Sequence, residues 1–246
     1  MVLAAMTAHK VYADVQQYGC AALANLAGDD DNQTAIAAAA GISVVLAAMK
    51  AHAGDAEMLV QGCGALANLA VDDNNQIAIA AAGGIPVVLA AMTAHKGHVD
   101  VQWQGCFALN NLAANAVNKI SIAAAGGIPV VLAAMVAHKG HAGVQHLGCA
   151  ALVSLAANNA DNKTEIAAEK GIPVVLAAIR AHVGHASVQE KGCWALSNIG
   201  WLDATLQKRI KDEGGVDVVQ AAMVASGATA TCKEVGQKLL GKLAQV

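Results

Sequence analysis

The sequence predicts an all-α fold laid out as a linear array of three-helix units, and three observations carry that prediction. Cys20, Cys63, Cys106, Cys149 and Cys193 recur every 43 or 44 residues, inside the related stretches YGCAALANLA, QGCGALANLA, QGCFALNNLA, LGCAALVSLA and KGCWALSNIG. A constant period of this size marks stacked supersecondary units in which each contacts its neighbours, rather than one globular core. Apolar residues inside each unit follow the three-and-four spacing of helices. Glycine pairs followed by proline, as at Gly83, Gly84 and Pro86 or Gly126, Gly127 and Pro129, return at equivalent junctions.

One unit, Val71–Ala113, shows how each element is justified. Asp73, Asn74 and Asn75 offer side-chain oxygens to the free amides of a helix start. A short first helix follows over Gln76–Ala82, carrying Ile77, Ile79 and Ala80. Gly83 and Gly84 supply a left-handed turn, and Pro86 sits in the first turn of a second helix over Pro86–His95. Lys96, Gly97 and His98 form a loop, and the third helix covers Val99–Ala113.

On this ruler residues 1–246 form one domain. Its repeats are a partial one at 1–27, full ones at 28–70, 71–113, 114–156 and 157–200, and a degenerate, more polar cap at 201–246. In the cap Gln237 replaces the recurrent cysteine, and Cys232 falls in the core slot held by Val101. The first unit lacks its first helix, so Val2, Leu3 and Met6 are expected to form an exposed apolar stripe, as in a fragment or an end-to-end homodimer contact.

Composition narrows the function. The chain has a formal net charge of −3, only 13% charged residues and 2% aromatics. That gives neither the basic field nor the stacking platform of a nucleic-acid binder, and no attraction to an anionic membrane. The apolar run Ile120–Ala137 is broken by Gly126, Gly127 and Pro129, so it reads as two short helices rather than a span. Met1 leads directly into a repeat, so no signal peptide is expected. Five of the six cysteines fill one slot in successive units, too far apart for bridges between stacked helices, so reduced thiols and a cytoplasmic or nuclear setting are expected.

The third helix carries two faces. At about 100° per residue, Val101, Gly105, Ala108, Leu109 and Leu112 form a core stripe. Gln104, Phe107 and Asn111 form a second one. Across the units that stripe reads Tyr18/Ala21/Asn25, Gln61/Gly64/Asn68, Gln104/Phe107/Asn111, Leu147/Ala150/Ser154 and Lys191/Trp194/Asn198. Asparagine is a poor helix former, so its return in four of five units needs a cause. An amide side chain matches the donor and acceptor pattern of a peptide bond, and a row of them can read an extended chain. Alternatively, each amide bonds a carbonyl of the neighbouring repeat and fixes the stacking. Trp103 and Trp194 are further candidate anchors on exposed ground, whereas Trp201 is expected to pack under the cap.

Other columns have blander readings. His9, His52, His95, His138 and His182 end the second helices, where a cation-capable ring meets the negative end of a helix dipole. The pairs 95/98, 138/141 and 182/185 offer two imidazoles each, an incomplete metal site. The cysteine column reads as core packing rather than redox chemistry. No phosphate loop, catalytic triad or recurring carboxylate pair is present, so neither enzymatic activity nor a cofactor is expected.

The three-helix unit and the run Cys193-Trp194-Ala195-Leu196-Ser197-Asn198-Ile199 resemble the armadillo repeats of importin-alpha and beta-catenin, and the likeness covers the whole chain. It implies a right-handed superhelical solenoid that binds protein partners in a concave groove. It also implies that Asn25, Asn68, Asn111 and Asn198 bond the backbone of an extended peptide, with Trp194, and Phe107 in part, walling side-chain pockets. Gln61, Gln104, Ser154 and Trp103 complete the expected groove. Ala21, Gly64 and Ala150 depart from the tryptophan column and no acidic residue lines the stripe, so the likeness implies peptide binding without implying recognition of a basic signal. A consensus-like engineered scaffold, or a spacer or oligomerisation module without a ligand of its own, accounts for the same repeats.

Overall fold

The computed structural model describes residues 1–225 and 227–246, and among them seventeen α-helices and no strand. A pair comes first, α1 (Val2–Ala8) and α2 (Ala13–Leu26). Triplets follow: α3 (Asp30–Ala38), α4 (Gly41–Ala51) and α5 (Ala56–Leu69); then α6 (Asp73–Ala81), α7 (Gly84–Ala94) and α8 (Val99–Leu112); then α9 (Ala116–Ala124), α10 (Gly127–Ala137) and α11 (Ala142–Ala156). The last two are α12 (Ala160–Ala168), α13 (Gly171–Ala181) and α14 (Ala186–Ile199), and α15 (Ala204–Asp212), α16 (Gly215–Val224) and α17 (Ala230–Leu243). The chain divides into two compact units, Met1–Val130 and Val131–Val246.

Local chemistry sets the helix ends. The Asp72 carboxylate accepts the Asn75 N–H at 2.9 Å and starts α6, and Asp29, Asn159 and Asp203 do the same for α3, α12 and α15. Asp73, Asn74 and Asn75, expected to cap α6, therefore lie in its first turn, and α6 begins three residues earlier than the expected Gln76. Gly83 then takes φ 79°, and α6 meets α7 at a bend of 74°. Gly84 has a different reason to be glycine: a methyl group there would overlap Ile79 Cγ2. Among the described residues no single helix is long and apolar enough to cross a membrane.

In the first unit the third helices α2, α5 and α8 pack side by side, while α1, α4 and α7 line up beside them. In the second unit α11, α14 and α17 form the corresponding row. Leu23, Leu66, Leu109, Leu152, Leu196 and Leu239 occupy one column and are each 2% exposed or less. Cys232 is fully buried, in the core slot expected of it, and its helix starts at Thr229, whose hydroxyl accepts the Cys232 N–H.

The expected stripe at the start of the chain is corrected by the structure. Met6 is 1% exposed because it lies on Gly19 of α2, and Val2 and Leu3 are half-buried. The large apolar residues exposed at this end are instead Met1, Val11, Tyr12, Tyr18 and Leu26. The final repeat carries surface pairs one helical turn apart, Lys208–Asp212, Arg209–Glu213 and Glu234–Lys238.

Candidate binding face of the third helices

On α8 the stripe of Val101, Gly105, Ala108, Leu109 and Leu112 is buried, which leaves the opposite stripe in reach of solvent. Gln104, Phe107 and Asn111 are half-buried there and Trp103 is 37% exposed. Beside them on α5, Gln61 and Asn68 are half-buried and Gly64 is buried. Tyr18 and Asn25 of α2 are exposed. This unit thus brings Gln61, Asn68, Trp103, Gln104, Phe107 and Asn111 onto adjacent helices. In the second unit Ser154 on α11 and Asn198 on α14 are half-buried, and Trp194 is 36% exposed with the Lys191 Nζ 4.7 Å from its ring centroid.

The asparagines have a structural partner. Asn68 Nδ2 donates to the Ala24 carbonyl at 2.8 Å, Asn111 Nδ2 to Ala67 at 2.8 Å, and Asn198 Nδ2 to Val153 at 3.0 Å. Each acceptor lies in the last turn of the preceding third helix, where Ala24 and Ala67 are among the carbonyls a helix end leaves without a donor, while Val153 also accepts the Ala157 N–H at 3.1 Å. The column thereby ties α5 to α2, α8 to α5 and α14 to α11. One of the two amide N–H groups is spent in this way, and the side chain is held in a fixed orientation. Asn68→Ala and Asn111→Ala are each expected to lower stability by about 1 kcal/mol. Asn25→Ala, on the exposed end helix, should stay within about 0.5 kcal/mol. Urea titration of the three variants checks both expectations.

Two further columns were only partly legible. Gln102 Nε2 donates to the Met92 and His95 carbonyls, both at 2.9 Å, closing the end of α7. Gln16, Gln145 and Gln189 make the same pair of bonds in their own repeats. A glutamine at one slot of four third helices is a visible signal, but its slot borders the core stripe and is easily passed over.

The histidines need no helix dipole to explain them. His52 Nε2 bonds the Lys10 carbonyl at 2.8 Å, His95 the Ala53 carbonyl at 2.9 Å, and His182 the Lys139 carbonyl at 2.8 Å. A neutral ring does this with one N–H, so the column is a staple between loops of successive repeats. The second histidines are engaged elsewhere: His98 Nε2 lies 3.4 Å from Glu57 Oε1, and His141 Nδ1 accepts the Val144 N–H. Among the described residues no group of three or more His, Cys, Asp or Glu side chains could hold a metal ion.

Burial pushes the thiols of Cys20, Cys63 and Cys106 up to about 12, which keeps them protonated and unreactive at neutral pH. Trp201, expected beneath the cap, is 45% exposed instead. The Lys242 Nζ stands 3.2 Å from its ring centroid, and its carbonyl accepts from Lys163 Nζ at 3.0 Å.

Comparison with known proteins adds the following. A family model, the LRRK2 ARM repeat, matches residues 1–238. No curated protein matches the chain. Among solved structures, the crystal structure of an engineered protein is 24% identical, with 99% of this chain and 95% of that one covered and a TM-score of 0.86. A computationally designed armadillo repeat protein for modular peptide recognition is 15% identical, with 98% of each chain covered and a TM-score of 0.81. A designed armadillo repeat protein in complex with the peptide (KR)4 is 14% identical, again with 98% of each chain covered and a TM-score of 0.80.

Proposed function

Because this chain belongs to the armadillo-repeat family, as the match to the LRRK2 ARM repeat over residues 1–238 shows, we propose that it is an interaction scaffold that takes an extended peptide along its third helices. One observation carries the reading. In the first unit Trp103, Gln104, Phe107, Gln61 and the two stapled asparagines share one half-exposed surface. Polar amides beside aromatic rings suit a peptide, whose backbone needs donors and acceptors while its side chains need apolar walls. The staples hold Asn68 and Asn111 in place before any ligand arrives, which reduces the entropy lost on binding. The bonds to Ala24 and Ala67 are compatible with this role, since Asn68 keeps its oxygen and a second N–H beyond the staple, and Asn111 keeps a second N–H while its oxygen accepts from Asn110 Nδ2 at 2.9 Å.

Selection of random extended peptides against the purified chain tests the reading. Enriched peptides should share an alternating pattern and should bind Trp103→Ala/Gln104→Ala at least about tenfold more weakly. Melting should barely change, because both side chains reach solvent. Peptides that bind the variant equally well, or no enrichment from folded and monodisperse protein, would remove this function. The second outcome would favour a scaffold with no natural ligand. The identity of Gly83–Met92 and Gly126–Met135, both GGIPVVLAAM, speaks for that engineered or consensus-like reading.

A further inference from the structure

We propose that the third-helix face of the second unit takes an acidic peptide segment, bound by Lys191, Lys238 and Lys242 beside Trp194 and Trp201. The proposal rests on the peptide-scaffold reading and adds the charge of the peptide to it. Although the whole chain carries a formal net charge of −3, this face gathers ammonium groups. Gly236 lies against Met223 as Gly192 lies against Ile179, which aligns α17 with α14. In that register Lys238 takes the place of Trp194, and Lys242 the place of Asn198. The corresponding slots of the first unit are neutral: Gln61, Gly64 and Asn68, then Gln104, Phe107 and Asn111.

Lys242 is the most telling of these groups. Its Nζ is buried, has no hydrogen-bond partner and lies over the Trp201 ring. Lys163 is held beside it by the Trp201 carbonyl. Burial first, then the charges of Lys163 and Lys238, hold Lys242 below the usual lysine range. Two ammonium groups therefore meet at Trp201, Lys242 over its ring and Lys163 on its carbonyl, and Lys238 lies one helical turn before Lys242 on α17. Lys191 lies over Trp194 on the same stripe.

The local carboxylates are already engaged. Glu190 accepts the Thr229 hydroxyl at 2.6 Å and pairs with Lys191 at 3.6 Å, and Glu234 pairs with Lys238 at 2.6 Å. A cation over an aromatic face keeps N–H groups for another acceptor. The acceptor that relieves the repulsion is an anion. On a face lined by helices and tryptophans, the occupant that supplies both carboxylates and apolar contact is a segment alternating acidic with apolar residues.

The test uses the full chain and three labelled extended peptides of equal length that alternate leucine with glutamate, glutamine or lysine, read by fluorescence anisotropy. The glutamate peptide is expected to bind about tenfold or more tighter than the glutamine peptide, with the lysine peptide weakest and the advantage shrinking as salt is added. Lys191→Gln/Lys238→Gln should abolish that advantage with melting unchanged. Lys242→Gln provides an independent variant in case the pair perturbs the helices. Equal or tighter binding of the glutamine or lysine peptide overturns the proposal, as does an advantage that survives both variants, or capture by phosphatidylserine vesicles with no preference among peptides. If the glutamine peptide binds as well as the glutamate peptide and still depends on Trp103, only the charge assignment fails. If no peptide of any charge binds, the scaffold reading fails with it.

Discussion

Gly105→Ala is expected to destabilise the protein by about 2–3 kcal/mol, although alanine is the better helix former. Gly105 sits mid-helix in α8, where glycine costs roughly 1 kcal/mol in propensity. It is retained because α8 lies directly on the second helix of its own repeat, and an added methyl group would overlap Met92 Cγ and crowd its Sδ. Met92 is fully buried. The same contact recurs at Gly19 with Met6, Gly62 with Met49 and Gly148 with Met135. Gly64 is the matched control. It is also mid-helix and buried, but a methyl group there meets only the Gln104 side chain at 3.4–3.5 Å, an ordinary contact. Gly64→Ala should therefore stabilise by up to about 1 kcal/mol. Chemical denaturation of both variants provides the comparison. Similar effects of the two substitutions would show that helix propensity, not the approach of α8 to α7, governs these positions.

The second large effect is alkaline loss of stability. The ordinary thiol pKa is 9.0, and burial raises Cys20, Cys63 and Cys106 to about 12 in the folded chain. Below pH 9 these thiols are protonated in both states and add no pH dependence. Between pH 9 and 12 the unfolded chain loses thiol protons that the folded chain keeps, so the unfolded state binds fewer protons and unfolding becomes more favourable as pH rises. Each thiol contributes on the order of 1 kcal/mol per pH unit across that window. Three acting together would exhaust the stability of an ordinary domain within a few pH units. Equilibrium unfolding at a series of pH values reads the slope. Cys106→Ala should flatten it by the share of one thiol, because lysine and tyrosine titration is common to both proteins. A slope identical in the two proteins would mean that Cys106 titrates alike folded and unfolded, contrary to its burial.

Both effects follow from how densely the repeats pack, and the same density explains which parts of the site were legible. Residue period and type were enough to predict an all-α chain of three-helix repeats, because periodicity, glycine–proline junctions and capping side chains are local. The third helix's core stripe was equally plain, since Val101, Ala108, Leu109 and Leu112 are selected by spacing alone. The exposed stripe of Gln61, Trp103, Gln104 and Trp194 followed as its complement.

Hydrogen-bond partners were not legible in the same way. A lone asparagine at position 68 or 111 offers donors and an acceptor in every direction, and only the stacking of α2, α5 and α8 decides that one N–H meets an unpaired carbonyl 44 residues earlier. His95 and Gln102 obey the same logic with carbonyls supplied by the preceding repeat and by their own second helix. The meeting of Lys163 and Lys242 at Trp201 is likewise a product of the fold, because these residues are distant in the chain and carry no shared motif. The sequence by itself determined the elements, their order and their buried faces, since those depend on intervals of a few residues. The tertiary structure alone decided where the amides, imidazoles and ammonium groups point, because their partners are backbone carbonyls and rings brought close only when one repeat settles on the next.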